Sequence, residues 1–174
     1  MSDGIEEALE RNRDFAARGG HEGAVVFPKL RLFVVTCIDP RTDPAYFLGL
    51  DLSDALVLRN AGGRVTPAVI EDVAFIAQLA EAAIGEGPLF EVAIVHHNQC
   101  GTGALVDDDF RRRYAERIGE DEAGLRDRAV LDPAATVRHD VELLRAAPQV
   151  PDRVRVSGHV YDVVGGLVET VAPA

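Results

Sequence analysis

Apolar residues recur along this chain in two rhythms. Short unbroken runs, rich in β-branched and aromatic side chains, stand at "LRLFVVTC" (30–37), "DALVLRNA" (54–61) and "FEVAIVHH" (90–97). Such runs, with no polar alternation, predict strands covered on both faces. Between them the spacing becomes helical. In "TPAVIEDVAFIAQLAEAAIG", Ile70, Val73, Ala74 and Ala77 recur at helical steps. Thr66 is placed to cap this helix, Pro67 takes its first position and Gly85 ends it. "DPAATVRHDVELLRAA" repeats the device, with Asp132 as cap and Pro133 behind it. A helix is predicted over 4–18, capped by Asp3, with Glu6 completing a capping box and Ile5, Ala8 and Leu9 forming a narrow apolar stripe. Another helix is expected just after "CGTG" (100–103). The chain closes with "RVRVSGHVYDVVGGLVETVA", a strand, a turn at the two glycines after Val164 and a short return strand. Strands alternating with helices predict one α/β domain over 1–174. Its expected architecture is a mostly parallel central β-sheet flanked by helices, with a C-terminal hairpin or edge strand.

Charge narrows the possible functions. Lys and Arg total 18 against 29 Asp and Glu, a net charge of −11. That balance argues against binding a nucleic-acid backbone or an anionic membrane surface, both of which call for basic residues. No apolar run approaches the roughly 20 residues of a membrane span. The opening "MSDGIEEALERNRDF" is acidic and amphipathic, unlike a signal peptide. With only two cysteines, the chain is expected in a reducing cytoplasm. The charge-dense stretch "VDDDFRRRYAERIGEDEAGLRDRAVLDP" predicts exposed helix and loop.

Mostly parallel sheets bind ligands beyond the carboxyl ends of their strands. Cys37, Asn60 and His97 fall at those ends. Thiolate and imidazole are the donors that suit zinc. His97 and Cys100, three residues apart across a strand-to-helix turn, can converge, and Gly101 and Gly103 keep that turn compact. Cys37 would arrive from a neighbouring strand tip. Three protein ligands would leave a fourth position open, as in catalytic zinc sites. The residues alone leave other readings open. Free cysteine is often a small core hydrophobe. A Cys37–Cys100 disulfide is conceivable but disfavoured by the expected compartment. The "CGTG" turn could cradle phosphate, but it lacks the full Walker pattern and the glycine spacing of a dinucleotide fingerprint.

Taken together, "CIDPR", "RNAGG" and "HHNQCG" resemble the β-class carbonic anhydrases. That family carries Cys–x–Asp–x–Arg after its first strand, Arg–Asn–Ala–Gly after the second and His–x–x–Cys–Gly after the third. The closing "YDVVGGLV" is similar to the family's terminal Tyr–Asp and glycine hairpin, and the compact length and doubled histidine are closest to a small bacterial subgroup. The resemblance implies Zn2+ held by Cys37, His97 and Cys100, with Asp39 and Arg41 as the catalytic dyad. It implies reversible hydration of CO2 to bicarbonate and a proton by zinc-bound hydroxide. In a closed state, Asp39 released by Arg41 would become a fourth ligand. It also implies a homodimer or higher homo-oligomer, with the N-terminal helix (1–20) in the contact. Two thiolates and a neutral imidazole cancel the charge of the dication, so activity is expected to rise toward alkaline pH.

Gln99, Pro40 and Gly63 depart from the family's usual residues without removing a ligand. The same fold also houses hydrolases of carbonyl sulfide and carbon disulfide, a second reading on the same zinc site. A non-catalytic zinc or ligand-binding module is a third, which the intact Asp39–Arg41 pair argues against. His96 is expected to pack in the strand or a dimer contact, His139 to be a surface residue and His159 to be structural. Arg59 is expected to bond nearby backbone or to cross the dimer.

Overall fold

The computed structural model describes residues 4–174, so the cap expected of Asp3 lies outside the described residues. Five strands form one sheet: β1 (Leu32–Cys37), β2 (Ala55–Asn60), β3 (Phe90–His97), β4 (Val154–Tyr161) and β5 (Val168–Ala172). Their order is β2-β1-β3-β4-β5. The first four are parallel neighbours, and β5 returns antiparallel to β4 around the 162–166 turn. The expected mostly parallel sheet with a terminal hairpin is therefore the observed one. Strand β1 begins two residues later than its apolar run because Arg31 takes a positive φ of 48°.

The α-helices are α1 (Gly4–Ala17), α2 (Pro44–Phe47), α3 (Pro67–Ala83), α4 (Asp108–Ile118) and α5 (Pro133–Arg145). Thr66 caps α3 by accepting from Val69 N, and Asp132 caps α5 by accepting from Ala135 N. Each cap satisfies an amide that the helix itself leaves orphaned. Helices α3 and α5 bring Val69, Val73, Ala77, Val137, Val141 and Leu144 against Phe33, Val35, Val92, Ile94 and Val156 of the sheet. Val34, Ala93 and Val95, which alternate with those strand residues, are buried as well. That is the two-sided burial an unbroken apolar run implies. Helix α1 has no buried residue, and Ile5 and Leu9 are 66% and 48% exposed. No described helix is long and apolar enough to cross a membrane.

Two expectations need correction. The chain after "CGTG" does not enter an α-helix directly. Residues Gly101–Val106 form a 3-10 stretch, and α4 starts only where Asp107 caps it through Phe110 N. The glycines at 101 and 103 are poor helix formers, and Asp107 supplies the stop-and-restart signal. The charge-dense segment is exposed helix and loop over much of its length, but not at its end. Leu125, Ala129 and Val130 are buried. All three are apolar, though Leu131 beside them is exposed, and Val130 packs beside Cys37 and Cys100.

One carboxylate joins the carboxyl edge of the sheet to α5. Asp140 is fully buried and accepts from Arg64 Nε at 2.8 Å, Arg64 NH2 at 3.0 Å and Val65 N at 3.0 Å. His96 Nε2 lies 3.3 Å from the same oxygen that faces Arg64 Nε. Burial pushes this carboxyl up, but the bonds from His96, Arg64 and Val65 outweigh it and hold the group at about 2. A folded value below the unfolded one, about 3.9, contributes stability above about pH 4 that is lost as pH falls toward 2. Asp140→Ala leaves the Arg64 guanidinium buried without its partner. It is expected to cost about 3–5 kcal/mol at neutral pH, read by urea unfolding of the metal-loaded protein. The gap to wild type should narrow on acidification through that window. A cost below about 1 kcal/mol, the range of exposed pairs, would contradict this.

Candidate metal centre

In the sheet order, β1 connects outward to β2 on one side, and the chain then crosses through α3 to β3 on the other. The crevice between the carboxyl ends of β1 and β3 is thus the switch point where such sheets bind ligands. Cys37 is the last residue of β1 and His97 the last of β3, with Cys100 three positions on. All three are buried. Their ligand atoms lie within 4.8 Å of one another, the one such group found among the described residues. The sulfurs are 3.9 Å apart and both cysteines are free, so the disulfide reading is set aside.

His97 is set for ligation. Its Nδ1 is 2.8 Å from Asn98 O, which makes that nitrogen the N–H donor and leaves Nε2 a lone pair. Nε2 is buried and has no hydrogen-bond partner. Such an orphaned buried acceptor costs free energy unless something outside the chain takes it. Asn98 is itself anchored. Its side chain donates to Asp162 Oδ1 at 2.6 Å and accepts from Val163 N at 3.0 Å, so the terminal hairpin steadies the turn that holds the histidine.

The two thiols are within hydrogen-bond reach of each other. Cys100 is drawn down to about 6, first by the hydrogen bond from Cys37 and, against burial, by Thr102. Cys37 is pushed up to about 11, first by its bond to Cys100 and then by burial. Asp39 N points at Cys37 Sγ from 3.4 Å and Thr102 Oγ1 lies 3.2 Å from Cys100 Sγ. These are the contacts of a site built to hold sulfur anions.

Asp39 and Arg41 form a bidentate pair. Arg41 Nε and NH2 donate to the two carboxylate oxygens at 3.0 and 2.7 Å, and Arg41 N adds 2.9 Å. The Arg41 guanidinium, outweighing desolvation, holds the Asp39 carboxyl at about 2. Gln99 fixes the arginine: its backbone O accepts from NH2 at 3.1 Å and its Oε1 from NH1 at 3.4 Å. Gln99 does this from a positive φ of 54°. Arg59 bonds nearby backbone, donating to Cys37 O and Asp39 O at 2.9 and 2.6 Å, and also reaches Asp43. It shapes the loop and stays off the metal group.

Adjacent positions on a strand face opposite ways, and the two histidines obey this. His96 turns to α5, with Nδ1 2.9 Å from Thr136 Oγ1 and Nε2 3.2 Å from Gly63 O. His139 is exposed, and His159 bonds Ser157 and Thr170 in the hairpin, its pKa lowered by burial. A cavity of about 270 Å3 opens against the metal group, lined among others by Ile38, Asp39, Gly62, Leu105, Phe110 and Tyr114. Sequence reasoning missed Arg64, Asp140 and Thr102. Asp140 had a signal: it sits within the apolar spacing Val137, Val141, Leu144 of α5, where a charge must find a buried partner. Thr102 had none, because its partner Val130 lies 28 residues away.

The fold and this group define an α/β protein with a Cys–His–Cys metal centre at the switch point of a parallel sheet. A family model described as Carbonic anhydrase matches residues 32–168. The chain is 30% identical to Beta-carbonic anhydrase 1 of Mycobacterium tuberculosis (strain ATCC 25618 / H37Rv), across 97% of this chain and 98% of that protein. The crystal structure of carbonic anhydrase from Streptococcus mutans superposes with a TM-score of 0.78 at 31% identity, covering 98% of this chain and 99% of that one. A carbon disulfide hydrolase of Acidianus sp. (strain A1-3) is 28% identical over 94% of this chain and 86% of its own length. This chain belongs to the carbonic anhydrase family, in its β class. Cobalt titrated into the metal-free protein under reducing conditions is expected to bind at one equivalent per chain. Cys100→Ser should weaken that binding by about 10-fold or more, and wild-type protein that takes up no metal would end the reading of this site as a metal centre.

Proposed function

We propose that this chain catalyses the reversible hydration of CO2 to bicarbonate and a proton, with Zn2+ held by Cys37, His97 and Cys100. The observation that carries the reading is the unpartnered His97 Nε2 facing two sulfurs 3.9 Å apart. Tetrahedral zinc with Zn–S bonds of about 2.3 Å places two sulfurs about 3.8 Å apart. Zinc bound there would lower the pKa of water and so supply hydroxide near neutral pH.

Asp39 orients the attacking oxygen. With its pKa held at about 2, it is ionised at every working pH and too weak a base to keep a proton. It therefore serves as a hydrogen-bond acceptor that turns a lone pair toward the CO2 carbon. Arg41 holds Asp39 back from the metal group by the bidentate pair, and Gln99 holds Arg41. The apolar lining of the adjoining cavity, Ile38, Leu105 and Phe110, suits a small uncharged linear substrate. The likeness to a carbon disulfide hydrolase supports a second reading, hydrolysis of that sulfur analogue on the same residues. Parallel assays with CO2, carbonyl sulfide and CS2 separate the two.

A homodimer is part of this reading. Helix α1 has no fully buried residue, and Val26 and Phe27, beyond it in sequence, are 89% and 52% exposed. Beside them a groove of about 450 Å3 is lined by Leu56, Ile76 and Leu79. A second copy is the occupant that would cover these faces. Two free cysteines suit a reducing cytoplasm.

Asp39→Asn is expected to keep zinc while turnover falls about 10²-fold. Arg41→Ala frees Asp39 to turn inward and close the site, so it should also keep zinc and lose activity. The assay is CO2 hydration between about pH 6 and 9, with zinc content measured in parallel. Wild-type rates in both variants at full zinc occupancy would remove the dyad from the mechanism. Sedimentation should give twice the chain mass at micromolar concentration, and a stable monomer would count against the dimer.

A further inference from the structure

We infer that Thr102 is a positioning residue whose hydroxyl, aimed by Val130 N–H, donates to the Cys100 thiolate and so sets how strongly that sulfur donates to the metal. The geometry fixes the direction of the bond. Val130 N donates to Thr102 Oγ1 at 3.1 Å, which occupies a lone pair of the hydroxyl. Thr102 Oγ1 lies 3.2 Å from Cys100 Sγ. A cysteine that ligates a metal has no proton to give, so in the loaded site the hydroxyl proton has to point at sulfur. The segment that supplies Val130 N is itself pinned. Asp127 O accepts from Arg64 NH1 at 2.6 Å, and the Val130 side chain packs against Cys37 and Cys100. The hydroxyl therefore sits between a fixed donor and a buried sulfur.

The physical consequence has a sign. A hydrogen bond to a thiolate withdraws electron density from it, and groups bonded to metal ligands tune the metal through them. Two thiolates otherwise make this a weak Lewis acid. The Thr102 bond offsets part of that, so its removal should leave Cys100 a stronger donor and the metal less able to acidify water. The 3-10 turn at Gly101–Val106 is what places a side chain two residues after the ligand back against that ligand's sulfur.

The inference rests on the metal reading of the site, and the test separates the two. Thr102→Val, Thr102→Ala and Thr102→Ser are compared with wild type after cobalt loading. If Cys100 loses its donor, the sulfur-to-cobalt charge-transfer band moves to lower energy in the Val and Ala variants and stays put in Ser. The pH at half-maximal CO2 hydration moves alkaline in the same two variants and returns in Ser. An unshifted band and an unshifted pH midpoint in fully loaded Val or Ala variants would overturn the role of Thr102 while leaving the metal centre intact. Wild-type protein that binds no cobalt would overturn both. Should neither apolar variant load cobalt, the metal-free chains decide. An unchanged Tm without metal supports a role at the sulfur, and a Tm that collapses without metal marks Thr102 as merely structural and overturns the proposal.

Discussion

The buried Asp140 carboxylate is the constraint on which the site's shape depends. It gathers one residue from each segment that the metal group needs held still. Arg64 and Val65 follow the "RNAGG" turn, and His96 precedes the ligand on β3. Through Arg64 the network also reaches Asp127 O, and so the segment lying over the two sulfurs. His96 passes the constraint to Gly63 O. Gly63, at a φ of +67°, brings its backbone so close that an added Cβ would stand 2.9 Å from Cys37 N. Only glycine tolerates both the φ and the approach. Packing of apolar side chains could bring these elements together, but it is non-directional. The ionic and hydrogen-bonded contacts around Asp140 fix their register at the strand tips, where apolar packing ends.

Much of this was legible in the sequence, and the limits are physical. The strand β3 was read to its bounds because residues 92–95 form an unbroken apolar run and every strand residue but Glu91 is buried. Helices α3 and α5 were legible from their caps, since Thr–Pro and Asp–Pro each satisfy an orphaned amide and pre-set the first turn. The convergence of Cys37 and His97 was legible because residue type and strand-end position coincide, and Cys100 follows three residues on. What stayed hidden depends on contacts distant in sequence. The burial of Leu125, Ala129 and Val130 cannot be read in a segment whose composition is dominated by charge. The bond from Val130 to Thr102 joins two loops that no periodicity relates.

The arrangement of donors also explains why such a site can exist before it is filled. A buried imidazole nitrogen without a partner and two sulfurs at 3.9 Å are each unfavourable alone. The hydrogen bond between the sulfurs softens this, drawing Cys100 down and pushing Cys37 up. The imidazole has no such relief, because its other nitrogen is committed to Asn98 O. A dication placed among the three atoms satisfies the nitrogen and both sulfurs at once, so its binding energy becomes folding energy for this edge of the sheet. Asp39 is the nearby anion that could compete for the same cation. Its pairing with Arg41, and Arg41's with Gln99, would hold it back from a bound metal without removing its charge. On the proposed reading, a metal bound here would keep a fourth position open because Arg41, two residues away, already occupies the carboxylate that would otherwise turn toward it.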